Sequence, residues 1–341
     1  MFRQDRANPG TRVSQWRGRH DTAKGWSGSR VSSWLNGGLF GAGGIVDGAY
    51  WVGGVSSLRA VIKTLFASDS TSTLAATLGN NSRDMGSFSN GAVAGYSGGN
   101  EGAGTGTDVI SKQTYEDETN VEIGSTLSED LFGQAGAANS GTAGYFAGGQ
   151  DSGPAVTDVI NKLLFSDDSC GAIGPTLSAA TYFPSGAANG STAAYWFGGT
   201  TGAEVDTIDK TDFSDDSTAD SGSDLSDAAQ YGAAFANSGT AAYCVLGYDG
   251  SSNLRTVNKL SFADDSVSDL GNLLADAVRG PYAAAQKGTH GYVAGGYDAT
   301  VPGYIDTIQQ LTFPGDSMAT LVPTLPAATG FGASFACDSG L

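Results

Sequence analysis

The chain has 341 residues, a formal charge of −18, only 17 lysines and arginines and nine prolines, but 52 glycines. So much glycine among Ser, Thr, Ala and Asn excludes a coiled coil or long helices and points to many short strands. No apolar run reaches the length of a membrane-spanning helix.

The first 35 residues stand apart. They hold Arg3, Arg6, Arg12, Arg17, Arg19, Lys24 and Arg30 against Asp5 and Asp21 by residue 30, leaving −23 on the rest of the chain. They also carry Trp16, Trp26 and Trp34, three of five tryptophans, without helical periodicity or an apolar signal core. Interleaved Arg and Trp are the residue types of an interface anchor, rings supplying area and guanidinium groups bidentate bonds. Residues 1–35 are therefore expected to be an extended arm docking on a partner subunit. Nucleic acid fits poorly, because an acidic body repels phosphates.

From residue 36 the chain repeats. An aromatic closes a strand-like run at Phe66, Tyr115, Phe165, Phe213, Phe262 and Phe313, a spacing of about 50 residues. Upstream of each lies an apolar run ending in glycine: Gly53 and Gly54, Gly98 and Gly99, Gly148 and Gly149, Gly198 and Gly199, Gly247 alone, then Gly295 and Gly296. These are expected to end an inner strand, where backbones crowd and φ turns positive. Tyr50, Tyr145, Tyr195, Tyr243 and Tyr292 sit three residues before the first position of the pair, suited to packing between units. A polar turn follows each aromatic, often paired acids (Asp167–Asp168, Asp215–Asp216, Asp264–Asp265), then a further strand and a small-residue strand. Four strands per unit over six units predict an all-β propeller of four-stranded antiparallel blades spanning 36–341. Residues 38–44 and 330–340 both look like a first strand, and the C-terminal one is expected to complete the first blade.

This pattern of glycine-ended strand, aromatic-closed strand and 50-residue spacing resembles the kelch repeat family, without the tryptophan that usually precedes the fourth strand. The resemblance implies a six-bladed β-propeller. Galactose oxidase shares that fold, but its copper site needs histidines, and this chain has only His20 and His290.

The chemistry is sparse. No sialidase box, P-loop, G-x-S-x-G elbow or H-E-x-x-H occurs. Cys170, Cys244 and Cys337 are read as small buried apolar residues. The paired acids are read as turn residues bonding their own backbone, with a calcium loop as the sharper alternative. Lys63, Lys112, Lys162, Lys210 and Lys259, with Gln310 in the last unit, lie four positions after Arg59, Asp108, Asp158, Asp206, Arg255 and Asp306, on a shared strand face. A ring of alternating Asp and Lys is therefore expected around the propeller as a charge network supporting neighbouring strands, with a ligand-binding ring as the sharper alternative. No enzyme, cofactor or metal site is expected, and neither nucleic acid nor membrane as partner.

The composition and short anchoring arm resemble structural proteins of tailed bacteriophages. That implies a virion protein made in the host cytoplasm without a signal peptide. As a tail fibre, spike or decoration in a homo- or hetero-oligomeric assembly, it would dock by its arm. Its loops 100–107, 150–156 and 298–303 would meet a host receptor, glycan or neighbouring subunit. A cellular kelch-like interaction module is the alternative.

Overall fold

Short alternating runs punctuated by glycine fold into strands, and no helix occurs among the described residues. The computed structural model describes residues 46–55, 59–101 and 105–338. The expected arm (1–35) lies outside them.

Six larger antiparallel sheets follow one another along the chain. The first joins β1 (Gly48–Val52), β2 (Ala60–Leu65) and β3 (Thr71–Thr77) to the C-terminal strand β28 (Ala333–Cys337). The second holds β4 (Gly86–Asn90), β5 (Ala94–Gly98), β6 (Thr107–Thr114) and β7 (Asn120–Phe132), with β10 (Gln150–Asp151) at its edge. The third holds β8 (Ala135–Asn139), β9 (Ala143–Ala147), β11 (Ile160–Leu164) and β12 (Cys170–Ala172). The fourth comprises β13 (Ser185–Asn189), β14 (Ala193–Phe197), β15 (Thr207–Asp212) and β16 (Thr218–Asp224). The fifth comprises β17 (Ala233–Asn237), β18 (Ala241–Val245), β19 (Thr256–Ser261) and β20 (Val267–Asn272). The sixth holds β22 (Tyr282–Gln286), β23 (His290–Ala294), β26 (Ile308–Thr312) and β27 (Ser317–Thr320). A small three-stranded sheet of β21 (Val278–Arg279), β24 (Tyr297–Asp298) and β25 (Gly303–Tyr304) sits beside it.

Within each larger sheet the small-residue strand is first and the glycine-ended strand second. Both β28 and β4 take that first place, β28 pairing with β1 from Gly48↔Cys337 to Val52↔Ala333. The first strands touch one another in order: β28 with β4, β4 with β8, β8 with β13, β13 with β17, β17 with β22, and β22 with β28. The glycine-ended strand is thus not the innermost one. Close approach selects Gly, Ala and Ser for the first strand instead: a Cβ on Gly136 would lie 2.1 Å from the Ser87 carbonyl oxygen.

Burial falls from the inner strands to the outer one. The second strands β1, β5, β9, β14 and β18 are buried along their whole length, whereas β3 and β16 are largely exposed. The apolar side chains form six clusters, each between consecutive sheets. One of them packs Tyr282, Tyr292 and Ile308 of the sixth sheet against Trp51, Ile62 and Phe66 of the first.

Candidate functional site

The glycine positions show how the repeat is built. Gly148 and Gly149 have φ of +67° and +114°, and the Gly149 N–H donates to the Thr181 carbonyl at 2.9 Å. A Cβ on Gly148 would stand 2.4 Å from that oxygen. Gly53–Gly54, Gly198–Gly199 and Gly295–Gly296 repeat the conformation, and Gly247 keeps it at the second position behind Leu246. The second unit is shifted by one: Gly98 ends β5, Gly99 (φ +60°) takes the first place and Asn100 the second. Aligned this way, Tyr96 joins the five recurring tyrosines.

Those tyrosines and the strand-closing aromatics stack in pairs across sheet boundaries. Tyr50 meets Tyr115, Tyr96 meets Phe165, Tyr145 meets Phe213, Tyr195 meets Phe262, Tyr243 meets Phe313 and Tyr292 meets Phe66, with centroids 5.0–5.4 Å apart. The lysine above each of the first five tyrosines crosses the same boundary. Lys112, Lys162, Lys210 and Lys259 bond Asp168, Asp216, Asp265 and Asp316 of the following sheet at 2.6–2.7 Å. The hydroxyls of Tyr96, Tyr145, Tyr195 and Tyr243 donate to the same four carboxylates. Lys63 takes Glu118 instead, while Gln310 donates to the Tyr292 hydroxyl, which donates to Asp69 at 3.3 Å.

The lysines do join a charge network between neighbouring sheets, but its acids are those of the turns rather than Asp108, Asp158 or Asp206, with which no ion pair forms among the described residues. The acidic turns divide their work. Asp167 and Asp264 accept the hydroxyl and then the N–H of Ser169 and Ser266, and Asp215 the N–H of Ser217, and these bonds hold their carboxyls below the usual range. Asp168, Asp216 and Asp265 adopt φ of +57° to +60° and reach the neighbouring sheet. Both carboxylates of each pair are thereby engaged within the protein.

The other recurring feature lies where each outer strand returns to the next first strand. Asp84, Gly133, Phe183, Tyr231, Gly280 and Phe331 occupy this turn, all with φ between +54° and +68°. Their backbones are linked: Asp84 N–H donates to Phe331, Gly133 to Asp84, Phe183 to Gly133, Gly280 to Tyr231 and Phe331 to Gly280, at 2.6–2.8 Å. A left-handed conformation is strained for Phe and Tyr, and such strain collects at binding sites.

Four of these residues line one cavity of about 370 Å³. Asp84, Phe183, Tyr231 and Phe331 form its base, and Arg83, Glu101, Tyr182, Arg279, Tyr297 and Tyr304 its walls. Phe183 packs against Tyr182 and Tyr231, with centroids 3.7 and 4.0 Å apart. Phe331 meets Tyr231 and Tyr304 edge-on. Arg83 pairs with Glu101 at 2.6 Å, and its Nε lies 3.6 Å from Asp84 Oδ2.

Asp84 Oδ1 is buried and makes no hydrogen bond. Burial, with Glu101 adding to it and Arg83 opposing, raises this carboxyl to about 8. Arg279 lies against two rings, its guanidinium carbon 5.1 Å from the Tyr248 centroid and 5.0 Å from Tyr297. Its Nε is buried without a partner, and no ion pair to it is formed among the described residues. Burial also raises Tyr231 to about 12 and keeps Tyr182 and Tyr304 protonated, so these hydroxyls remain donors.

Of the loops expected to make contacts, 100–107 supplies Glu101, and Tyr297 and Tyr304 flank 298–303. Loop 150–156 instead borders a separate hollow with Glu129 and Asp130. The nine arm residues from Arg3 to Trp34 lie outside the described residues. The cavity residues were missed in the sequence because they are not glycine-marked. Their signal was an aromatic or Asp two positions before four of the six small-residue strands, as in Phe183-Pro184-Ser185 and Tyr231-Gly232-Ala233. A comparison with protein-family models finds no match to the chain, nor does one with curated proteins.

Proposed function

We propose that the chain is a six-bladed, ring-closed propeller acting as a non-enzymatic recognition protein of a larger assembly, the virion of a tailed phage. Closure is supported by four relations that run from the sixth sheet back to the first or second: the strand contact of β22 with β28, the stacking of Tyr292 on Phe66, the bond from Tyr292 to Asp69, and the bond from Asp84 to Phe331. A narrow cavity of about 100 Å³ lined by Ser87, Gly136, Gly186, Ala234, Ala283 and Ser334, one from each first strand, fits an axis through that ring.

Recognition rests on one observation: the strained turns converge on an aromatic cavity holding an unpaired buried carboxyl oxygen and an Arg without a carboxylate partner. Six of its ten lining residues are aromatic and the rest are a few charged groups, the make-up of a small-molecule or glycan contact site. The place in a virion rests on the acidic, glycine-rich composition and the basic Trp-bearing arm.

Deleting residues 1–35 tests the docking role. The truncated protein should melt as the full chain does yet fail to join its assembly, and normal incorporation would exclude the arm as anchor. Incubating the full chain with the glycans it retains should return them uncleaved. Release of a terminal sugar would make Asp84 a proton donor and the protein an enzyme.

A further inference from the structure

Building on the cavity as the contact site, we infer that it binds a saccharide bearing a carboxylate, which Arg279 takes while the aromatic base receives the sugar ring. The charge inside the cavity points to an anion. Arg83 is already answered by Glu101, and Asp84 sits where burial favours its neutral form, so Arg279 is left as the uncompensated cation. The body's net −23 acts from outside, and charges beyond about 8 Å are largely screened at physiological ionic strength.

The way Arg279 is held sets the geometry. The guanidinium carbon sits 5.1 and 5.0 Å from the ring centroids of Tyr248 and Tyr297, and the guanidinium makes no ion pair among the described residues, so its N–H fork remains available to a ligand in the cavity. That fork matches a carboxylate with two parallel bonds. The cavity base gives the rest: Tyr231 and Phe331 meet at 81°, so an apolar sugar face can lie on one ring beside the edge of the other. Asp84, whose Oδ1 has no partner, is part of the same lining and offers a polar group for a hydroxyl that no apolar ligand carries. A volume of about 370 Å³ suits a single substituted sugar rather than a long chain.

The test is calorimetric titration of the full-length protein with glucuronate- and sialate-terminated oligosaccharides, their methyl esters, and glucose- and galactose-terminated counterparts. The carboxylated ligands should bind at least tenfold more tightly than the esters and uncharged sugars. Arg279→Lys, which keeps the charge but loses the planar fork, should weaken the acidic ligands at least tenfold while the near-ultraviolet circular dichroism stays that of the native protein. Because esters are compared on the unaltered protein, the result does not depend on the variant folding. Equal affinity for acid and ester overturns the acidic assignment and leaves the cavity as a glycan site. Binding of no saccharide, or of an extended peptide instead, overturns the assignment altogether, whereas failure of the docking role would appear only in the arm-deletion experiment.

Discussion

Asp84 pairs a left-handed backbone (φ +55°) with a buried side chain, so its ionisation is tied to folding. Its carboxyl rises from 3.8 to about 8, first through burial and then through Glu101, against the pull of Arg83. A folded-state value above the unfolded one means that the folded protein holds a proton the unfolded chain has released. That contribution is complete below about pH 4 and is lost as pH climbs toward 8. The charges around it are Arg83 and Glu101 in the ion pair, with Tyr304 and Tyr231 close enough to feel it. Asp84→Asn tolerates the same backbone and cannot ionise. Its melting temperature should match the parent at pH 4 and exceed it at pH 9, while parallel curves across that range would show that Asp84 is not the group responsible.

The repeated turn works as a two-part element. Its first acid organises the turn itself, and its second crosses to the sheet before it, where a lysine and a tyrosine converge on it. At the third-to-fourth junction, Asp216 accepts from Lys162 at 2.7 Å and from Tyr145 at 2.7 Å, with both charged side chains about three-quarters buried. Hydrogen bonds to a charged, partly buried group are worth about 1.5–3 kcal/mol each. Asp216→Asn keeps the turn, since Asn accepts positive φ, and Lys162→Ala removes the other partner. Each should lower stability by about 1–2 kcal/mol, and the double variant should lose less than the sum. Strict additivity in denaturant unfolding would show that the pair does not couple the sheets. The sixth unit relaxes the pattern, because Gln310 replaces lysine and, among the described residues, Asp69 accepts a side-chain bond only from Tyr292, at 3.3 Å.

For the whole molecule, β28 has an importance beyond its five residues. It pairs with β1, its Ser334 and Ala336 carbonyls accept from Ser87 and Ser89 of the second sheet, and the Ser334 hydroxyl donates to Ala283 of the sixth. Phe335 adds a ring beside Tyr50 and Tyr115. One strand therefore joins three sheets whose residues are far apart in sequence, and loss of such long-range contacts is not made up locally. Removing residues 333–341 should abolish cooperative thermal unfolding and expose the apolar faces of β1 and β4 to a hydrophobic dye. A truncated protein that still melts sharply near the parent temperature would remove the case for ring closure.

The sequence by itself determined the strand class, the 50-residue period, the recurring tyrosines and the C-terminal strand as a first strand, because local size and glycine placement impose them. Phe66 through Phe313 were legible as a period without their partners, since a stacking pair such as Tyr145 with Phe213 spans two units. Lys162 was visible too, yet its true partner Asp216 was not: face-sharing on one strand is a local rule, whereas the neighbouring sheet supplies the nearer carboxylate. The gathering of the cavity residues was decided by tertiary structure. Arg83, Tyr231 and Arg279 lie in separate units and carry no common motif, and only the stacking of first strands brings their turns to one place.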